Sequence, residues 1–98
     1  MSNNQPDINK LERLRDLSGL TIKDMATSLL GVTRASYYAW LKGTPFREGK
    51  KKRILLSMKV LAICLRGGTL PIKHLYGKEK RQATMKAVAE ALKKLRQV

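Results

Sequence analysis

The sequence predicts an all-α fold: a single five-helix domain with a tight turn between its second and third helices and an amphipathic helix at its C-terminus. Three observations predict it. Apolar residues recur at helical intervals along most of the chain. Helix-capping and helix-ending residues punctuate those intervals at Thr21, Gly31, Thr33 and Gly43, and nothing beyond Asp7 requires a strand. With 98 residues the chain holds one core and is too short for a second beside it.

Residues 1–6 are polar and end in Pro6, which predicts a short disordered arm. A first helix follows from Ile8, with Ile8, Leu11, Leu14 and Leu17 at three-residue spacing, and stops at Ser18-Gly19. Thr21 stands three residues before Asp24, a variant of the capping box: the hydroxyl accepts from a free amide and the carboxylate reaches back. Met25, Leu29 and Leu30 give this second helix its apolar side, Ala26 lets a neighbour approach closely, and Gly31 supplies the left-handed residue that ends it.

Thr33 caps a third helix that runs to Lys42 and stops at Gly43, with Pro45 soon after. Tyr37, Trp40 and Leu41 share its inner side, leaving Arg34, Ala35, Ser36, Tyr38 and Lys42 for other faces. Residues 44–50 read as a loop. The fourth helix, 51–66, is apolar most of the way around its axis, as in a helix covered on several sides, and Gly67-Gly68 ends it. After the break at Gly68-Thr69-Leu70-Pro71 and a connector with Leu75 and Tyr76, a last helix is predicted from Glu79. Met85, Val88, Ala89, Leu92 and Leu95 form its stripe, with Lys86, Lys93 and Lys94 off it. The predicted organisation is therefore an arm over 1–6, a helical core over 7–66, and a basic extension over 67–98 that packs on the core or forms a dimer interface.

Twenty-one Lys and Arg against seven Asp and Glu give a net charge of +14, an excess that concentrates polyanions. It is uneven: residues 1–46 carry six basic and four acidic side chains, residues 47–98 fifteen and three. That asymmetry suggests a nearly neutral reading unit joined to a basic unit that grips a nucleic-acid backbone. Cys64 is the only cysteine, so the chain forms no internal disulfide, lacks the ligands of a four-ligand zinc site, and fits a reducing compartment. Residues 1–6 have neither a basic start nor an apolar core, and no stretch approaches a membrane span, so a soluble cytoplasmic protein is expected. His74 lies in a connector without evident ligand partners, and the carboxylates are scattered, with no Ser, His and acid arrangement and no phosphate-binding Gly-rich loop. No enzyme activity, cofactor, metal or small-molecule substrate is expected.

Two helices joined by a tight turn, the second opening on short polar residues, make a helix-turn-helix, which presents a helix N-terminus to base edges. The residues Gly19-Leu20-Thr21, Asp24, Ala26, Leu30-Gly31-Val32-Thr33-Arg34, and Trp40 before Gly43 carry a family likeness. Over roughly residues 8–65 the chain resembles the phage Cro and repressor type (XRE-like) of helix-turn-helix regulator. Two features depart from that pattern: one residue more than the usual spacing between Ala26 and Gly31, and Ile22 where the family often has a polar residue near the backbone.

The resemblance implies a sequence-specific, double-stranded DNA-binding transcriptional regulator, a phage or bacterial repressor that works as a homodimer on nucleoid DNA. By position it implies reading roles for Thr33, Arg34, Ala35, Ser36, Tyr38 and Lys42. The Arg34 fork can bond two acceptors of guanine, Thr33 and Ser36 can bond phosphate or a base edge, and Ala35 offers a methyl contact to thymine. Tyr38 and Lys42 suit phosphates; Thr21, Lys23 and Arg47 complete the expected contacts. Lys50-Lys51-Lys52-Arg53 puts like charges against a helix dipole, a cost that a DNA phosphate would relieve. Tyr37 and Trp40 are expected in the core rather than stacked on bases. Two competing readings are an antitoxin-like DNA-binding protein whose last helix holds a protein partner, and an architectural or RNA-binding protein that works by charge.

Overall fold

The computed structural model describes residues 6–96, so the expected arm over 1–6 lies, apart from Pro6, outside them. The described residues are all helical or irregular. They form α1 (Ile8–Ser18), α2 (Ile22–Asp24) running directly into a π-helical stretch (Met25–Leu30), α3 (Arg34–Leu41), α4 (Glu48–Arg66) and α5 (Gly77–Arg96). The five-helix all-α expectation therefore holds.

Asp7 starts α1: its carboxylate accepts from the amides of Asn9 and Lys10 at 3.0 and 3.3 Å. Gly19, at φ 82°, ends it and returns its N–H to the carbonyls of Arg15 and Asp16. The expected stripe is only partly inward, since Leu11 is buried but Leu17 is 55% exposed. Steps of three residues fall about 60° short of a full turn each, so Leu17 has rotated off the face that Leu11 occupies.

Thr21 caps α2 as expected, its Oγ1 accepting from the Asp24 amide at 3.0 Å. The second half of the capping box is absent: the Asp24 carboxylate turns to Arg81 on α5 instead. Between Ala26 and Gly31 the coil widens to π-helical bonding, with Met25, Ala26, Leu29 and Leu30 all buried. Gly31, at φ 69°, closes that stretch by donating to the Ala26 carbonyl.

α4 begins at Glu48 rather than at residue 51, so Glu48–Lys50 are helical and not loop. Glu48 suits the positive helix end and pairs with Lys51 at 2.9 Å, which explains the earlier start. Ile54, Val60, Leu61 and Cys64 are buried and Leu56, Met58, Ala62 and Leu65 half-buried, so the helix is covered on several sides as expected, with only a strip through Leu55 and Ile63 facing outward. α4 lies between α1 and α5.

α5 begins at Gly77, two residues before the expected Glu79. Its inner line is Thr84 and Val88, flanked by half-buried Met85, Ala91, Leu92 and Leu95; Ala89, expected in the stripe, is exposed. The difference is one of phase, because α5 is set by packing Thr84 inward as well as Val88, and that turns Ala89 to solvent. Val88 is 1% exposed within the core that also holds Leu11, Leu30, Tyr37 and Leu61, so the C-terminal extension closes the domain's own core.

Candidate nucleic-acid interface

α3 owes its start to Thr33, whose backbone is extended and whose Oγ1 accepts from the Ser36 amide at 3.0 Å. The same hydroxyl donates to the Ser36 Oγ at 3.1 Å. Tyr37 and Trp40 turn inward and are buried, as expected; Trp40 meets Phe46 edge-on, the ring centroids 5.5 Å apart. The opposite side of the helix leaves Thr33, Arg34, Ala35, Tyr38 and Lys42 exposed, with Ser36 half-buried. The first turn of α3 thus offers a guanidinium, a methyl and two small hydroxyls to whatever approaches.

A partly buried network ties α3 to α1 and so fixes its rotation about its axis. The Tyr37 phenol donates to Glu12 Oε1 on α1 at 2.8 Å. Glu12 in turn receives Arg15 Nε at 2.8 Å and Nη2 at 2.6 Å, and Arg15 Nη1 reaches the Leu20 carbonyl at 2.6 Å. The Arg15 hydrogen bonds hold the Glu12 carboxyl below its usual range despite partial burial, with the Tyr37 hydroxyl adding to the effect. Burial, followed by the bond to Glu12, pushes the Tyr37 phenol well up, so it stays a protonated donor.

The basic run at the start of α4 finds partners inside the molecule. Lys50 Nζ donates to the Leu30 carbonyl at 3.4 Å and Arg53 Nε to the Leu29 carbonyl at 2.9 Å, both at the end of the π-helical stretch. Two cations therefore meet the negative end of one helix while Lys51 meets Glu48. Lys50, Lys51 and Arg53 thus have partners within the molecule that the sequence did not announce, and the Lys50 and Arg53 bonds hold the turn before α3. Lys52 is exposed. Arg47 and Lys50 join Ser36, Trp40 and Phe46 around a depression of about 370 Å³ beside α3.

The structure thus gathers Thr33–Lys42 and Arg47–Arg53 around the turn, whereas Thr21 and Lys23 stand at the far end of α2. Thr21 lines a depression with Gly77, Lys80 and Arg81 of α5. Sequence reading missed this neighbourhood. Arg81 Nε and Nη2 grip the two Asp24 oxygens at 2.8 Å each, and Asp24 is only 3% exposed. These Arg81 hydrogen bonds, opposed by burial, hold the Asp24 carboxyl below its usual value.

Both depressed carboxyls make stability sensitive to acid. Their contributions are complete above their ordinary values, 3.8 for Asp24 and 4.5 for Glu12, and are lost as pH falls through the lower folded values. Guanidinium unfolding midpoints are expected to hold steady from neutral pH down to about 5 and then to fall. In a Glu12→Gln/Asp24→Asn variant the acid limb should flatten; an unchanged limb would assign it to other carboxylates.

His74 is exposed in the connector, and Cys64 is buried with its thiol pushed up by burial. Among the described residues no group of three or more His, Cys, Asp or Glu is placed to hold a metal ion, and no helix is long and apolar enough to cross a membrane. No family model matches the chain, and no curated protein or solved structure matches it either.

Proposed function

We propose that this chain binds double-stranded DNA sequence-specifically as a transcriptional regulator, a repressor acting on nucleoid DNA in the cytoplasm without a catalytic step. One observation carries the reading: α3 exposes Arg34, Ala35 and Tyr38 on one side while Tyr37 and Trp40 anchor the other in the core. A helix held rigidly by one face and bare on the other at its N-terminal turn has the form needed to enter a major groove. The net charge of +14 supplies the sequence-independent attraction.

In this reading Arg34 addresses a guanine, Ala35 a thymine methyl, and Tyr38 and Lys42 the flanking phosphates. Thr33 and Ser36 bond each other and so serve first to hold the turn. A homodimer would present two such helices about 34 Å apart. An apolar groove between α4 and α5, bordered by Ile63, Ala87, Ala91 and Leu95, favours a second copy there; the same groove is the feature that an antitoxin-like protein would use for a protein partner.

Titration of wild type and Arg34→Ala against a selected site and a scrambled duplex, at two salt concentrations, tests the reading. The variant is expected to lose about 1–3 kcal/mol of preference for the site and little affinity for scrambled DNA. Equal weakening on both duplexes would make Arg34 a backbone contact and move specificity elsewhere.

A further inference from the structure

The charge of the C-terminal extension has no use in the interface described so far. Residues 67–98 hold eight Lys and Arg against two Glu. Of these cations only Arg81 forms an ion pair among the described residues, and it does so with Asp24 at the start of α2. That pair has two effects: it docks the first turns of α5 beside α2, and it neutralises the carboxylate in the first turn of α2. Lys78 and Gln82 accordingly share a depression with Asp24 and Ser28 of the second helix.

Along α5 three lysines share one exposed flank. At about 100° per residue, Lys78, Gln82, Lys86, Ala89 and Lys93 fall within about 80° of one another, on a flank that continues the edge facing Ser28. All five are exposed. Glu79 and Glu90 are rotated off that line, about 20° apart on the side away from α2. Glu90 lies within four residues of Lys86, Lys93 and Lys94, whereas Lys78, at the α2 end of the flank, has no carboxylate three or four residues away along α5.

In a helix-turn-helix the first helix of the motif crosses the phosphate backbone. In the proposed reading α2 is that helix, and the lysine flank starts beside it at Lys78 and leads away from it along α5. We propose that Lys78 and Lys86 of α5, with Lys93 beyond them, form a second phosphate-gripping rail that carries the DNA footprint past α2. The inference rests on the proposed reading of α3 as the groove helix. Lys78 and Lys86 are about 12 Å apart along the axis, against about 3.4 Å of duplex axis per phosphate of one strand, so they reach different phosphates. They contribute affinity and register without sequence preference.

The test compares Lys78→Gln/Lys86→Gln with Lys59→Gln/Lys94→Gln, which removes the same charge from α4 and the other side of α5. All four positions are exposed, so both variants should fold like wild type, as circular dichroism will check. Affinity for the selected site and for scrambled DNA is then measured from 50 to 200 mM salt. The rail variant is expected to flatten the salt slope by about 1.8 units on both duplexes, making the affinity loss across that range roughly tenfold smaller, while the control stays near wild type. Equal slopes for the two variants would overturn the rail and leave the reading of α3 standing. Wild type that binds DNA without site preference would overturn the reading of α3 and leave the rail to the slope comparison; failure of wild type to bind DNA would overturn both.

Discussion

Trp40→Ala is expected to destabilise the protein by about 3–5 kcal/mol, as large-to-small substitutions of buried aromatic residues do. Trp40 is 8% exposed, abuts Phe46 from the following loop, and stands two residues before the exposed Lys42, on the other side of the helix. A domain of this kind has roughly 5–15 kcal/mol in total, so the loss takes a large share of it. Phe46 would lose its aromatic partner at the same time, and the loop leading to α4 would loosen. Urea unfolding followed by far-UV circular dichroism measures the effect. A cost below about 1 kcal/mol would show that α3 is not anchored through this ring.

The second large effect is expected at Glu12, whose carboxylate receives both Tyr37 and Arg15. Glu12→Ala leaves the Tyr37 hydroxyl, in a fully buried residue, and a largely covered guanidinium without their acceptor, a penalty of about 2 kcal/mol. Tyr37→Phe removes one donor and leaves the Arg15 pair intact, so it should cost about 1 kcal/mol or less. The order of the two variants carries the argument: if Tyr37→Phe proved the costlier, the network would be held by the phenol rather than by the carboxylate. Because Tyr37 sits on α3, the proposed function adds that both changes should weaken binding to a selected DNA site more than binding to scrambled duplex.

What could be read from the residues alone was whatever is decided locally. Thr21, Thr33, Gly19 and Gly31 act within five residues of themselves, and each caps or ends the helix it was expected to. The inward turn of Tyr37 and Trp40 followed from spacing within one helix. Partners distant in sequence left no such mark. Asp24 looked like half of a capping box because Thr21 is three residues away; its real partner, Arg81, is 57 residues further along. The basic run at 50–53 was expected to need an external anion because the carbonyls of Leu29 and Leu30, which Arg53 and Lys50 meet, are backbone groups that no residue type announces. Leu17 and Ala89 were placed inward by short-range periodicity, and each was turned out by the phase its helix took in packing.

The π-helical stretch at Met25–Leu30 bears on how this chain tolerates changes in length. In a regular α-helix one added residue rotates everything beyond it by about 100° and advances it by about 1.5 Å. Such a change ahead of α3 would swing its outward side chains away from any ligand they address. A widened coil takes up a residue within its own turn, and Gly31 then restarts the chain from a fixed left-handed position held by Lys50 and Arg53. Length and angular phase are thereby less tightly coupled here than in a regular α-helix, so the segment before the turn can absorb a residue with less rotation of α3.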